Sequence, residues 1–393
     1  MPSPWLLDPE VTFLNHGSFG SCPEPVHEHQ AALRRELERA PVRFFLGELE
    51  PRLDAARASL GALIGAAPSD LVFVPNASFA VNSVLASLRL SEGDEVVVTD
   101  HGYAACNYAA ERWTKERGAR VVSARIPFPI RSPSEVTEAV VGALGPRTKL
   151  VLVDHVTSPT GLVLPIESIV REVEARGVPV LVDGAHAPGM LPLDLGKLDA
   201  TYYTGNLHKW VCAPKGAAFL HVRRAAQPDV MPVVTSHGYG SKREDRSRYQ
   251  LEFDWLGTLD PTAFLSVPFA IETVRGLHPD GIDGVMRENR ALALSARALL
   301  AERLGVGLPA PDEMIGSLAT LPLPDAALGA TFGPFGDALK EELATKYRIE
   351  VPVFPWPAYP KRLIRVSAQR YNRIEDYARL ADALDEILRP RSA

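Results

Sequence analysis

Between about residues 68 and 222, short runs of β-branched and other apolar residues alternate with amphipathic stretches of helical period. The runs lie at 71–74, 95–99, 120–123, 149–153 and 179–182. Near-continuous apolar strands separated by helices predict a parallel sheet that is covered by helices on both faces. Because ligands of such sheets bind beyond the carboxyl ends of the strands, polar residues at those ends are the first candidates for a functional site.

Two charged residues follow apolar runs in this region. Asp183 comes directly after the run 179–182, and Lys209 comes twenty-six residues later, just past a second apolar run. A buried carboxylate without a partner is costly, so Asp183 is expected to meet a cation such as a protonated pyridine nitrogen, although helix capping is an alternative. Desolvation beside His208 would lower the pKa of Lys209 and favour a Schiff base. The pair predicts a site for pyridoxal phosphate.

Other polar residues follow the neighbouring strands. Asn76 and Ser78 lie at a strand-to-helix junction, where exposed N–H groups and a hydroxyl can bind phosphate, with simple helix capping as the alternative. His101 and Tyr103 follow the next strand, and either ring could stack on a flat heteroaromatic group or relay protons, with ordinary loop residues as the alternative. His186 could form a hydrogen bond with the ring oxygen of the cofactor.

Composition restricts the class of protein. With 393 residues, 46% hydrophobic and 23% charged, the chain is long enough for two domains with substantial cores. A net charge of −6 gives no electrostatic reason to expect nucleic acid or an anionic membrane as a partner, and no apolar run is long enough to span a membrane. The cysteines, Cys22, Cys106 and Cys212, lack metal-ligand spacing, so we expect no metal site and a reducing, cytoplasmic location.

The pattern changes after about residue 268. A long helix is predicted over 284–304, followed by strands at 317–323, 349–354 and 362–366 and helices at 337–347 and 374–388. We therefore divide the chain into an N-terminal segment (1–25) that contributes to the site, a large cofactor-binding domain (26–267), and a linking helix with a smaller α/β domain (268–393). The polar stretch 236–248 predicts a mobile surface loop.

Three motifs together resemble the fold-type I, or aspartate-aminotransferase, fold of pyridoxal-phosphate enzymes. They are FLNHGSFG at 13–20, DGAH at 183–186 and GNLHKW at 205–210. Within this fold they look most like the class V branch and its isopenicillin N epimerase group, and the match covers nearly the whole chain. The resemblance implies an α/β protein whose large domain has a mostly parallel sheet covered by helices, with a smaller C-terminal α/β domain.

The resemblance also implies roles for matching residues. Lys209 would carry the cofactor, Asp183 would pair with its ring nitrogen, and His186 would lie against its ring oxygen. Arg365 would grip the α-carboxylate of an amino-acid-type substrate, for which its bidentate geometry is suited. A homodimer with shared sites is also implied. The other implied binding residues are Ala77, Ser78, Asn206 and His208 at the phosphate, Asn15 and His16 at the substrate, and Thr258 at the phosphate of the neighbouring subunit's cofactor.

The resemblance leaves the reaction open. An amino-acid epimerase or racemase is the preferred interpretation, in which His101, Tyr103 or His16 would be the second acid; a C–S β-lyase and an aminotransferase are the alternatives. A persulfide-forming cysteine desulfurase is disfavoured, because no cysteine follows Cys212. The non-enzymatic alternative is an α/β ligand-binding protein whose Lys209 is ordinary. Segments 43–45, 236–248 and 354–356 are candidates to line the pocket for the substrate side chain.

Overall fold

The central element of the computed structural model is a sheet of seven strands, and the structure describes residues 4–326 and 336–388. Residues 1–3, 327–335 and 389–393, which belong to the predicted N-terminal segment and the predicted small domain, lie outside the described residues. The described residues form twelve strands, of which β2 to β8 make up the seven-stranded sheet. The strands are β1 (Thr12–Phe13), β2 (Leu71–Val74), β3 (Glu95–Thr99), β4 (Arg120–Ala124), β5 (Thr148–Asp154), β6 (Val180–Asp183), β7 (Tyr202–Asn206), β8 (Ala218–Val222), β9 (Leu318–Leu323), β10 (Ile349–Glu350), β11 (Val353–Pro355) and β12 (Arg362–Ser367).

Helices cover the sheets and connect their strands. They are α1 (His16–Phe19), α2 (Glu24–Arg39), α3 (Pro41–Arg43), α4 (Leu49–Ile64), α5 (Ala77–Ser87), α6 (Ala104–Lys115), α7 (Ser134–Gly142), α8 (Ile166–Glu174), α9 (Leu195–Leu198), α10 (Arg248–Phe253), α11 (Thr262–Leu265), α12 (Val267–Arg275), α13 (Gly281–Leu304), α14 (Ala338–Lys346) and α15 (Ile374–Leu388). Among the helices of the described residues, none combines the length and the apolar character that a membrane crossing requires.

The seven strands are arranged in the order β2-β8-β7-β6-β5-β3-β4. All neighbouring pairs are parallel except those made by β8, which runs antiparallel to both β2 and β7. The prediction of a mostly parallel sheet is confirmed. The exception has a simple cause: the connection 207–217 between β7 and β8 contains turns rather than a helix, so the chain returns beside the strand it has just left. That connection carries Lys209.

The inner strands are buried on both faces, which explains their continuous apolar sequence, whereas Arg120 and Ser123 of the edge strand β4 are exposed. In β5, Val151 and Val153 belong to the apolar cluster on one face, and Leu150 and Leu152 belong to the cluster that includes residues of α5 and α6 on the other. Because side chains alternate along a strand, Asp154 points to the same face as Leu152. The carboxylate of Asp154 therefore lies at the carboxyl end of β5, beyond the apolar run of the strand.

A second apolar core forms around the antiparallel sheet β11-β12-β9, against which α13 and α15 pack. The strand predicted over 349–354 is two strands, β10 and β11, and the break falls at Pro352, which has no N–H to donate. The first strand of the chain, β1, pairs in parallel with β10. The N-terminal segment is thus held against the C-terminal part of the chain.

Candidate active site

A cavity of about 440 Å³ opens at the carboxyl ends of β5, β6 and β7. The predicted site residues that line it from the sheet side are Tyr103, Asp183, His186, Asn206, His208 and Lys209. Asn76, Ala77 and Ser78 line it from the start of α5, and Arg365 lines it from β12. A larger open depression of about 630 Å³ lies elsewhere, around Glu174 and Arg223, but these two side chains neutralise each other in an ion pair of 2.5 Å.

Lys209 lies in the turn after β7, and its side chain is half-buried and lines the site. Its Nζ atom is 3.2 Å from Nε2 of His186, whose Nδ1 atom has no hydrogen-bond partner among the described residues. Burial, and then the positive charge of Arg365, lower the pKa of Lys209 to about 7, against the opposing effect of nearby carboxylates. A large fraction of Lys209 is therefore the uncharged, nucleophilic amine at neutral pH.

Asp183 ends β6 and is 2% exposed. Its Oδ1 atom accepts a hydrogen bond from the Ala185 N–H at 3.0 Å, and its Oδ2 atom accepts one from the Cys106 thiol at 3.1 Å. Burial raises the pKa of Asp183, although these two hydrogen bonds oppose the effect. Both donors are neutral, so the carboxylate is oriented but not neutralised, and a cationic ligand group would complete its environment.

Arg365 places a buried positive charge in the cavity. Its side chain is 1% exposed, and its guanidinium lies 5.1 Å from the centre of the Phe354 ring. One Nη atom donates to the carbonyl and hydroxyl oxygens of Ser158 at 2.5 and 3.2 Å, and the other donates to Oγ of Ser18 at 3.1 Å. Burial lowers the pKa of Arg365 to about 10. A buried cation bonded only to serine oxygens is suited to an anionic ligand such as a carboxylate.

The start of α5 forms the far end of the cavity. Asn76 caps the helix, because its Oδ1 atom accepts the Phe79 N–H at 2.9 Å, and it also lines the cavity. The Ala77 N–H donates to Oδ1 of Asn206 at 2.9 Å, which ties the helix to the end of β7. His208 uses Nδ1 to contact the Ala217 carbonyl at 3.0 Å, so its Nε2 atom remains for a ligand. A helix N-terminus with these side chains favours an anion.

Of the two candidates for the stacking residue, Tyr103 lines the cavity and is 44% exposed, whereas His101 lies outside the lining. His101 is buried, its Nδ1 atom is 2.8 Å from Oγ1 of Thr160, and its ring packs 4.5 Å from that of Trp356. Burial lowers the pKa of His101 to about 4. The structure therefore gives His101 a packing position and leaves Tyr103 as the ring that reaches the cavity.

Asn15 and His16 also lie outside the cavity lining, and their neighbours Gly17, Ser18 and Phe19 take that place. His16 is fully buried, with Nε2 at 3.0 Å from the Lys209 carbonyl and Nδ1 at 2.9 Å from the Tyr371 hydroxyl. Burial lowers the pKa of His16 to about 3. The single turn of α1 turns His16 toward the core, so it supports the backbone of Lys209 rather than facing a ligand.

Several cavity residues were not among the predicted site residues: Asp154, Ser158, Ser18 and Phe19. Asp154 does end an apolar run, which was a usable signal, but Ser18 and Ser158 are recognisable only once Arg365 is seen to contact them. Of the candidate pocket segments, Phe354 lines the cavity, whereas Phe45 packs against Trp255 in a separate apolar pocket.

Thr258 is exposed and lies outside this lining, after Gly257 with its φ of 112°. The predicted loop 236–248 contains a 3-10 turn, His237–Gly240, and is joined to α4 by ion pairs of Arg243 with Glu50 and of Arg246 with Asp54. Within residues 4–326 and 336–388, His, Cys, Asp and Glu side chains form no group that could hold a metal ion.

Comparison with known proteins agrees with this geometry. The Aminotransferase class-V family profile matches residues 42–323. The chain is 37% identical to isopenicillin N epimerase of Streptomyces clavuligerus, over 97% of this chain and 96% of that protein. It is 33% identical to a probable chloroplastic L-cysteine desulfhydrase of Arabidopsis thaliana, over 97% of this chain and 84% of that protein.

Among solved structures, the cystine C–S lyase C-DES in complex with its reaction product cysteine persulfide has a similar fold, with a TM-score of 0.78. The alignment covers 95% of this chain and 97% of that chain, at 20% sequence identity. The predicted family, fold class and cofactor class are thereby confirmed. The chain belongs to the class-V aminotransferase family, a family of pyridoxal-phosphate-dependent enzymes with the fold-type I architecture.

Proposed function

We propose that Lys209 is the residue that carries pyridoxal phosphate and that Asp183 pairs with its ring nitrogen. The proposal rests on two groups in the cavity. The carboxylate of Asp183 is buried and accepts hydrogen bonds from neutral donors, and the amine of Lys209 has a pKa of about 7. His186, which is 3.2 Å from Nζ of Lys209, would approach the ring oxygen. When bound, the cofactor supplies an electron sink for the charge left at the substrate's Cα after a proton is removed.

The phosphate would be held at the start of α5. Ser78 would contribute its hydroxyl, and the first turn of α5 would contribute backbone N–H groups. Asn206 holds that turn in place by accepting a hydrogen bond from the Ala77 N–H. Burial lowers the pKa of His208 to about 4, but a bound dianion near Nε2 would raise it and turn the ring into a second donor. These residues would anchor the cofactor without taking part in proton transfer.

The reaction that we favour is epimerisation at the Cα of an amino acid or an amino-acid-containing substrate. The observation that carries this choice is the position of two proton-transfer groups in one cavity: Lys209 enters from β7, and Tyr103 enters from the loop after β3, with β6 and β5 between them. Lys209 would remove or return the proton on one side of the substrate. Tyr103 would do so on the other.

Arg365 would hold the α-carboxylate so that the Cα–H bond is presented to these groups. Burial raises the pKa of Tyr103, which keeps its hydroxyl protonated and able to donate at neutral pH. The relatives named isopenicillin N epimerase support the same choice. The second candidate is a C–S β-lyase, which the L-cysteine desulfhydrase relatives favour and in which Tyr103 would protonate the leaving sulfide.

Incubation of the purified enzyme with single-enantiomer amino acids in heavy water separates the two reactions. An epimerase incorporates deuterium at Cα and loses optical purity, whereas Tyr103→Phe would retain exchange from one face only. Pyruvate and ammonia formed from cysteine or a cysteine conjugate, with no loss of optical purity, would reject epimerisation in favour of the lyase. A colourless protein that does not take up added pyridoxal phosphate would support a ligand-binding protein.

We further propose a homodimer with shared active sites. Thr258 is exposed and lies outside the cavity of its own chain, as a residue that reaches a neighbouring subunit's cofactor should be. Sedimentation analysis should give twice the chain mass. Mixing Lys209→Ala with Thr258→Trp protein should then form hybrids whose active-site occupancy differs from that of either parent, and a monomer under all conditions would reject the proposal.

A cytoplasmic location is the accompanying expectation. It is supported by the cysteines Cys22, Cys106 and Cys212, which are all free thiols in the structure. Cell fractionation with an antibody to the protein tests this expectation directly, and recovery from an oxidising compartment would contradict it.

A further inference from the structure

A second buried carboxylate lies beside Asp183. Asp154 ends β5, and it is paired in register with Asp183 at the end of the parallel neighbour β6. Side chains at paired positions of parallel strands point to the same face of the sheet, so the two carboxyl groups are neighbours on the face covered by α5 and α6. They are 5% and 2% exposed, and both line the cavity. The proposed function gives Asp154 no role.

The hydrogen bonds of the two carboxyl groups differ. Asp183 accepts one bond on each oxygen, from the Cys106 thiol and from the Ala185 N–H. Asp154 accepts the Tyr103 N–H on Oδ1 at 3.2 Å. Hydrogen bonds from neutral donors stabilise the charged form of a carboxyl group, so Asp183 is the better place for a negative charge. The nearby amine of Lys209 directs its own hydrogen bond to His186 instead.

Two negative charges on paired residues of a buried site repel each other, which disfavours the ionisation of both carboxyl groups at once. Burial first, and then the charge of Asp183, raise the pKa of Asp154 well above its usual range. The titratable groups that act on Asp154 are Asp183 on β6, Cys106 on α6 and Lys209 after β7, and the phenol of Tyr103 lines the same cavity. After Lys209 is joined to the cofactor, its nitrogen can still gain and lose a proton, so it remains one of the titratable groups that act on Asp154.

We propose that Asp154 and Asp183 form a proton-sharing pair in which Asp154 is the neutral carboxylic acid, so that the site offers a single negative charge to the ring nitrogen of the cofactor. Asp154 is a positioning residue in this pair, and the Cys106 thiol holds the charge on Asp183. The inference rests on the proposed contact of Asp183 with the ring nitrogen, but not on which reaction follows. When Asp154 loses its proton at alkaline pH, a second negative charge would hold the ring nitrogen more firmly protonated and change the visible absorption of the cofactor.

The test compares Asp154→Asn with the wild-type holoenzyme, because asparagine has the shape of the neutral acid but cannot ionise. We expect cofactor affinity at neutral pH to change by less than about threefold. The part of the alkaline change in the visible spectrum that follows the infrared band of the carboxylic acid should disappear, and the part that comes from the nitrogen joining Lys209 to the cofactor should remain. If Asp154 is instead ionised in the wild type, the substitution removes a charge beside the ring, and affinity should fall by about tenfold or more, the factor that corresponds to one pKa unit. That result would overturn the proposal.

Three further variants keep the interpretation clear. Asp100→Asn is the matched control, since Asp100 also follows a strand but is exposed and bonds the Ile126 N–H outside the cavity; it should leave the alkaline change in place. Tyr103→Phe should also retain the alkaline change in the visible spectrum, and that result would exclude the Tyr103 phenol as the titrating group. Cys106→Val removes the thiol that donates a hydrogen bond to Asp183, and it should shift the pH midpoint of the alkaline spectral change. Cys106→Ser keeps a hydrogen-bond donor at this position, so its midpoint should be close to that of the wild type.

A measurement on the unmodified protein covers the case in which a variant fails to fold. Infrared difference spectra of the wild-type holoenzyme should contain the C=O stretch of a protonated carboxylic acid at neutral pH, and this band should vanish in step with the alkaline change. Its absence in a protein that binds pyridoxal phosphate through Lys209 would reject the carboxyl pair and leave the proposed function intact. A protein without a borohydride-trappable cofactor would reject the proposed function instead.

Discussion

The cavity has two walls of different origin. The first is built from the ends of neighbouring strands, with Asp154, Asp183 and Asn206 as the last residues of β5, β6 and β7 and Lys209 three residues further on. The second is built from the opposite ends of the chain, with Arg365 donating a hydrogen bond to Ser18. The first wall would bind the cofactor and the second the substrate, so a cofactor site can be complete while substrate binding still depends on long-range packing.

Loss of Lys209 should have the largest effect, because it would remove the proposed covalent link between the first wall and the cofactor. Lys209→Ala should abolish borohydride trapping of the cofactor and reduce the turnover rate by about a thousandfold or more. Lys215→Ala is the matched control, since Lys215 lies in the same connection but is exposed and bonds the Gly20 carbonyl. Equal losses in the two variants would mean that the connection as a whole, rather than the amine, is required.

Arg365→Leu should break the second wall and leave the first intact. Removing a buried cation from a carboxylate should cost about 2–5 kcal/mol of substrate binding, seen as a higher KM with nearly unchanged cofactor affinity. Steady-state kinetics and cofactor titration measure the two effects separately. Arg287→Leu, at an exposed ion pair with Asp280, should change neither. A parallel loss of cofactor affinity in Arg365→Leu would show that the two walls are not separable.

His16→Phe should lower the stability of the protein, because it removes the hydrogen bond between the segment that carries Ser18 and the backbone of Lys209. The substitution leaves the Lys209 carbonyl and the Tyr371 hydroxyl without this partner, which should cost about 1–3 kcal/mol of stability. Thermal unfolding of the apoprotein measures the loss. His27→Phe, on the exposed side of α2, should stay within about 0.5 kcal/mol of the wild type. An unchanged Tm in His16→Phe would mean that the two walls fold independently.

The smallest effect concerns the pH dependence of cofactor capture by the first wall. Only the uncharged amine of Lys209 attacks the aldehyde, and its pKa is lowered to about 7, so the rate should rise as the pH passes through 7 and level off above it. Between about pH 6 and pH 8 the amine fraction rises about tenfold. Stopped-flow absorbance of the apoprotein with pyridoxal phosphate measures the rate. A rate that still climbs toward the pKa of an exposed lysine would contradict a buried Lys209.

The first wall could be predicted from sequence because parallel strands end at one edge of the sheet, and a polar residue after an apolar run is therefore assigned to that edge. The prediction of a mostly parallel sheet, which was made from the same apolar runs, is confirmed by the parallel pairing of the strands from β3 to β7. The antiparallel β8 was not foreseen, since an apolar run carries no sign of its direction. The choice between His101 and Tyr103 was also beyond the sequence, because it depends on α6 beginning at Ala104, which leaves Tyr103 at the cavity.

The second wall depends on contacts that no local pattern encodes. Arg365 was found through the family resemblance; its alternation with Ile364 and Val366, which face the second apolar core, is consistent with a strand but does not reveal a cavity. The motif at 13–20 contains residues that line the cavity, yet the single turn of α1 decides that His16 faces inward while Ser18 and Phe19 face the cavity. Sequence located the segment, and packing selected the side chains.

Gly20 lies where that segment crosses the lysine. Its φ is +70°, and an added Cβ would lie 2.1 Å from the His208 carbonyl oxygen. Since β1 also pairs with β10, this early segment reaches its final position only after the last third of the chain has been synthesised. The wall that would hold an amino acid is therefore assembled later in synthesis than the strands that would hold the vitamin B6 coenzyme, because its first residues wait for a partner strand near the other end of the chain.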